Sequence, residues 1–90
     1  MNERWRLRVR GRVQGVGYRI SCLRRAEELG LGGWVRNRED GSVEVEAEGD
    51  PLRLGELLLW CEHGPQGAQV SSVSSTPIAP NGSDWFEIRR

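Results

Sequence analysis

Gly11-Arg12-Val13-Gln14-Gly15-Val16-Gly17-Tyr18-Arg19 joins two different periodicities. Before it, Trp5, Leu7, Val9 and Val13 alternate with Arg4, Arg6, Arg8, Arg10 and Arg12. A period of two means a strand with one face buried. After it, the run from Ile20 to Leu29 carries Ile20, Leu23, Ala26 and Leu29 on one stripe, with Cys22 beside them. That spacing predicts an amphipathic helix, which Gly30 stops. The nine residues are therefore a strand-to-helix turn with Gly15 and Gly17 in its loop. Glycine accepts φ > 0 and lets another group approach closely. A helix start leaves amide N–H groups unpaired at the positive end of the dipole. Arg19 adds a forked cation that fits phosphate. The loop reads either as a plain tight turn or as an anion cradle.

Working outward, residues 33–38 read as a second strand, and Asp40-Gly41 is a hairpin signal. Val43, Val45 and Ala47 alternate with Glu44, Glu46 and Glu48 in a third strand. Asp50 and Pro51 supply an N-cap and an N1 residue for a second helix. Leu54, Leu57, Leu58 and Cys61 follow at helical spacing, and His63-Gly64-Pro65 ends it. A fourth strand is expected over 68–76, where Val70 and Val73 fall out of phase unless a bulge separates them. Residues 77–83 read as loop and 85–89 as a short last strand. The order predicts an α+β fold: a ferredoxin-like βαββαβ sandwich, with two helices on one face of an antiparallel sheet and a short C-terminal extra strand. In this topology the first and third strands are neighbours. Arg6, Arg8, Arg10 and Arg12 should then face Glu44, Glu46 and Glu48 in a ladder on the open side of the sheet. The second strand ends near the loop, so Asn37 is expected beside it, pointing to the helix side. Asn37 reads either as a cap of the Asp40-Gly41 hairpin or as a functional amide.

Ninety residues make one small domain, spanning 1–90. The net charge of zero gives no global pull toward nucleic acid or an anionic membrane. The charge is uneven, however: residues 1–25 hold eight Arg and one Glu, whereas 26–62 hold three Arg and ten acids. No apolar run approaches a membrane span, and Met1-Asn2-Glu3-Arg4-Trp5 lacks a signal core, so a cytoplasmic location is expected. A monomer is the default expectation, on which the sequence itself is silent. Cys22 and Cys61 read as core filler, with a bridge between the two helices as the alternative. No Cys/His cluster has metal-ligand spacing. His63 reads as a helix C-terminal residue favoured by the dipole. Trp5, Trp34, Trp60 and Trp85 read as core or rim.

The stretch 11–19 resembles the signature loop of the acylphosphatase family. Gly33-Trp34-Val35-Arg36-Asn37, with Asp40-Gly41 and Val43-Glu44-Val45, resembles a second family segment, and Phe86-Glu87-Ile88-Arg89 resembles its last strand. The match spans nearly the whole chain in order and spacing. It implies the same fold and hydrolysis of the carboxyl–phosphate bond of small acyl phosphates, with no metal and no cofactor. It also implies that Gln14, Gly15, Val16, Gly17, Tyr18 and Arg19 bind the phosphoryl group and that Arg19 and Asn37 are catalytic, Asn37 by positioning a water. Tyr18 stands where the family loop more often has Phe. Its ring is expected to pack with the hydroxyl tip near water.

Three rival readings remain. A non-catalytic anion- or RNA-binding ferredoxin-like module would expose aromatics on its central strands, where this chain has Arg and Glu. An acylphosphatase-like segment of a carbamoyl-transfer protein that matures hydrogenases would carry further zinc-binding and transferase segments. The chain's end at Arg90 favours the free enzyme. A member that has lost activity would be expected to lack Arg19 or Asn37, and both are present.

Overall fold

The computed structural model describes residues 1–90. Its elements are β1 (Glu3–Arg12), α1 (Tyr18–Glu28), β2 (Gly32–Asn37), β3 (Val43–Gly49), α2 (Pro51–His63), β4 (Gln69–Ile78) and β5 (Phe86–Ile88). They build one five-stranded sheet in the order β4-β1-β3-β2-β5. Odd-numbered residues of the central strands, Leu7, Val9, Val43, Val45 and Ala47, join Val35 on the helix side. There they meet Tyr18, Cys22 and Ala26 of α1 and Leu54, Leu57 and Cys61 of α2 in one core. Asp50 caps α2 as expected: its carboxylate accepts from the Leu52 amide at 2.8 Å, with Pro51 opening the helix.

The even-numbered residues form the expected ladder on the open face. Register pairs Arg4 with Glu48, Arg6 with Glu46 and Arg8 with Glu44. Arg10 and Arg12 lie beyond the end of β3 and have no acid opposite.

Three expectations need correction. The sheet is mixed, because β5 runs parallel to β2, with Val35 opposite Ile88. The direction follows from the path. Strand β4 is antiparallel to β1, so the chain leaves it at the end of the sheet remote from the 13–17 loop. It crosses beneath the sheet through residues 79–85 and must rise along the far edge in the same direction as β2. The crossing is tied down by Glu48, which accepts from the Asn81 and Gly82 amides at 2.9 and 2.8 Å.

The buried row of α1 is Tyr18, Cys22 and Ala26, and Ile20 is 42% exposed. The helix starts two residues earlier than the apolar spacing suggests. Two residues on a helix point roughly 200° apart, so a row led by Tyr18 turns Ile20 outward. Strand β4 also extends to Ile78 rather than stopping at Thr76. Its phase problem is solved by a bulge. Arg10 pairs with Ser72 and Gly11 with Val70, which leaves Ser71 over. Val70 and Val73 thereby both reach the helix side. Gly11 permits this with φ 125°, and any Cβ there would collide with the Gln69 carbonyl and sit 2.7 Å from the Ser71 nitrogen.

Candidate active site

The loop between β1 and α1 owes its shape to two glycines in the left-handed region, Gly15 at φ 74° and Gly17 at φ 78°. Gly17 is also the N-cap of α1 and brings no side chain to bond the first turn. Helix bonding begins with the Ser21 amide, which donates to the Gly17 carbonyl at 3.2 Å. The amides of residues 15–20 have no acceptor within the protein. Arg19, half-buried at the head of the helix, makes no ion pair. Unpaired N–H groups, the positive end of the α1 dipole and an uncommitted guanidinium thus share one place.

Asn37, the last residue of β2, joins them. Gly15, Gly17, Arg19 and Asn37 line one cleft of about 250 Å³, with Val13, Tyr18, Ile20 and Ile88 completing it. Asn37 does not cap the neighbouring hairpin. That turn is closed by Arg38 N–H to the Ser42 carbonyl at 2.8 Å, and by Asp40, which accepts from the Ser42 amide at 3.0 Å and the Ser42 hydroxyl at 2.6 Å. These bonds to Ser42 hold the Asp40 carboxyl below the usual carboxylate range. The Asn37 amide makes no hydrogen bond within the protein.

The other loop residues divide. Gln14 turns away from the cleft: its Nε2 donates to the carbonyls of Arg38 and Ser42 at 2.8 and 2.9 Å. It therefore straps the loop to the hairpin that follows Asn37. Val16 packs against the core. Tyr18 departs from expectation. Its ring is buried and its hydroxyl points inward, donating to the Cys61 carbonyl at 2.8 Å. Burial, with the neighbouring Cys61, pushes the phenol pKa far up, so it stays protonated. Cys22 and Cys61 are free, buried thiols. The hydrogen bond to Cys61, together with burial, holds Cys22 protonated as well.

No three His, Cys, Asp or Glu side chains converge as metal ligands. His63 ends α2, exposed, with Nδ1 3.1 Å from the Leu59 carbonyl, and lines a separate hollow with Arg25, Glu56, Leu59 and Trp60. Trp34 is on the open face but only 9% exposed, with Arg36 and Arg89 lying 5.3 and 5.2 Å from its ring centre. A second hollow of about 450 Å³ shares Asn37 with the cleft and is lined by Arg36, Arg38, Glu39, Asp40 and Arg90. Sequence reasoning missed the strap role of Gln14 and the presence of Ile20 and Ile88 in the cleft. Only the parity of Ile88 with buried Phe86 hinted at the latter.

The acylphosphatase family model matches residues 5–88. An acylphosphatase of Synechococcus sp. strain RCC307 is 68% identical over 87 residues, 97% of this chain and 74% of that protein. One from strain CC9311 is 58% identical over 89 residues, 99% of each chain. The crystal structure of the acylphosphatase from Bacillus subtilis superposes over 100% of both chains, with a TM-score of 0.95 and 36% identity. No helix is long and apolar enough to cross a membrane. By sequence over nearly its whole length and by fold, this chain belongs to the acylphosphatase family.

Proposed function

We propose that the cleft binds a small acyl phosphate by its phosphoryl group and hydrolyses it to carboxylate and phosphate. One observation carries this: Arg19 with its unpaired guanidinium, an uncommitted Asn37, and Gly15, Gly17, Tyr18 and Ile20, whose amides are unpaired, line the same cleft. The amides and the guanidinium hold the equatorial phosphoryl oxygens and take up charge as the transition state forms. The Asn37 side chain positions a water in line with the scissile bond. The water oxygen bonds to phosphorus as the bond from phosphorus to the carboxyl oxygen breaks. The leaving group is a carboxylate, stable as an anion at a pKa of about 4, so no acid needs to protonate it. The cleft is lined by no His, Asp or Glu, and the water's proton goes to a phosphate oxygen. Catalysis here is positioning plus charge stabilisation.

The test is benzoyl phosphate hydrolysis in EDTA by wild type, Arg19→Ala and Asn37→Ala. Wild type should turn over, and each variant should lose two or more powers of ten, about 3 kcal/mol. An inactive wild type that still binds inorganic phosphate would make the cradle a binding site only.

A further inference from the structure

We infer that Ile20 and Ile88 form an apolar wall that receives the acyl part of the substrate, so that the cleft selects acyl phosphates with apolar or aromatic acyl groups. This rests on the hydrolase reading above and assigns its substrate class. Four apolar residues line the cleft, but Val13 and Tyr18 are 1% and 2% exposed and fully engaged in the core. The apolar surface a ligand can touch belongs to Ile20 and Ile88, which are 42% and 40% exposed. Each is in an unusual position. Ile20 sits in the first turn of α1 one residue after Arg19, turned off the buried row. It hangs over the loop: a Cβ on Gly17 would lie 3.9 Å from Ile20 Cγ2. Ile88 ends β5 opposite Val35, two residues from Asn37 along β2. It shares the parity of buried Phe86 and so lies on the helix side of the sheet. The two isoleucines therefore come from different layers of the sandwich, Ile20 from the helix layer and Ile88 from the edge strand beneath it, and meet at the same cleft. A phosphoryl group in the cradle would direct its acyl group past one or both of them. Burying an acyl chain or ring there removes exposed apolar surface from both partners.

The hollow on the other side of Asn37 offers the opposite chemistry, with Arg36, Arg38 and Arg90. Arg36 and Arg38 are already paired with Glu44, at 2.7 and 3.1 Å. Of the three only Arg90 has no carboxylate partner, whereas both isoleucines of the apolar wall are free to meet a ligand.

The experiment compares wild type with Ile20→Ala, Ile88→Ala, the double variant and the conservative Ile88→Leu. Both positions are exposed, so the variants should fold, as thermal unfolding would verify. Two readouts are used. The first is kcat/KM for benzoyl phosphate relative to acetyl phosphate. Each alanine should lower that ratio by about threefold and the pair by about tenfold, mainly through KM, and Ile88→Leu should restore most of it. The second is binding of phenylphosphonate against methylphosphonate, followed by NMR titration, which needs no turnover. Wild type should favour the phenyl compound, and the double variant should lose the preference. A ratio that stays fixed in all variants would overturn the wall. So would tighter binding of 3-phosphonopropionate than of phenylphosphonate, weakened by Arg38→Ala, because that would assign the acyl group to the polar hollow. An inactive wild type with an Ile-dependent phenylphosphonate preference would sink hydrolysis and leave the wall standing.

Discussion

Tyr18 solves a bonding problem that the end of α2 creates. The Cys61 carbonyl would normally accept from the amide four residues on, but that residue is Pro65, which has no N–H. The Gly64 amide donates to Trp60 instead. The Tyr18 hydroxyl fills the vacancy and ties the first turn of α1, next to Arg19, to the last turn of α2. Removing it leaves a buried carbonyl without a partner. Tyr18→Phe should therefore destabilise the protein by about 1–2 kcal/mol, a melting-temperature loss of about 5 °C or more at this size. Its effect on turnover should be smaller than that of Arg19→Ala, since the hydroxyl faces the core. Thermal unfolding beside an activity assay checks both. An unchanged melting temperature would mean that water reaches Cys61. Nothing local in the sequence foretold the inward hydroxyl. A tyrosine at a loop edge has its tip in water by default, and only the register of α1 against α2 turns it in.

The strap between the β1–α1 loop and the β2–β3 hairpin is an arrangement of elements, since neither end of it lines the cleft proposed to hold the phosphoryl group. Gln14 bonds two carbonyls of the hairpin, at Arg38 and Ser42, and Asn37 immediately precedes that turn. Losing the strap should let Asn37 drift relative to Arg19 while both remain intact. Gln14→Ala is expected to lower kcat about tenfold, because misplacing a water by a fraction of an ångström is costly. The inhibition constant of inorganic phosphate should change much less. Equal losses in both would instead place Gln14 at the phosphate. The elements themselves were largely legible. Alternation around Arg4–Arg12 and Glu44–Glu48 specified two strands, and Asp50-Pro51 marked the start of α2. The nearness of Asn37 to the loop followed from strand order. The unreadable parts depended on partners far away in sequence. The bulge at Ser71 needs Gly11 on β1 to be seen, and the parallel β5 needs the path beneath the sheet. The row of α1 hinges on a start at Tyr18 that no capping side chain announces. Ile20 and Ile88 went unread for the same reasons.

Across the whole molecule, the Arg-rich first quarter and the Glu-rich middle meet on the open face, where several charges are removed from water. Arg4, Glu44 and Glu48 are 2%, 4% and 4% exposed. Buried charges are tolerable only when paired. Glu44 bonds Arg36 and Arg38, with Arg6 and Arg8 each 3.6 Å away. Glu48 takes the Arg4 guanidinium at 3.1 Å and the two amides of the crossing loop. Burial alone would raise both carboxyl pKa values. The Arg36 and Arg38 bonds at Glu44, and the Asn81 and Gly82 amides with Arg4 at Glu48, outweigh it, so both are lowered. The linkage then has a definite sign. Near the unfolded pKa of about 4.3, the unfolded chain holds more protons than the folded one, so stability rises with pH. The contribution is complete above that value and is lost as pH falls through the lower folded-state values. Melting temperature should be flat from pH 7 to about 5 and then drop steeply toward pH 3. Glu48→Gln should melt lower at pH 7, because Arg4 is left buried with one carboxylate fewer. Its acid limb should also be shallower, because one of the depressed carboxyls is gone. An acid limb as steep as that of wild type would mean that Glu48 titrates alike in both states, and that its amide partners, rather than its charge, hold the crossing loop in place.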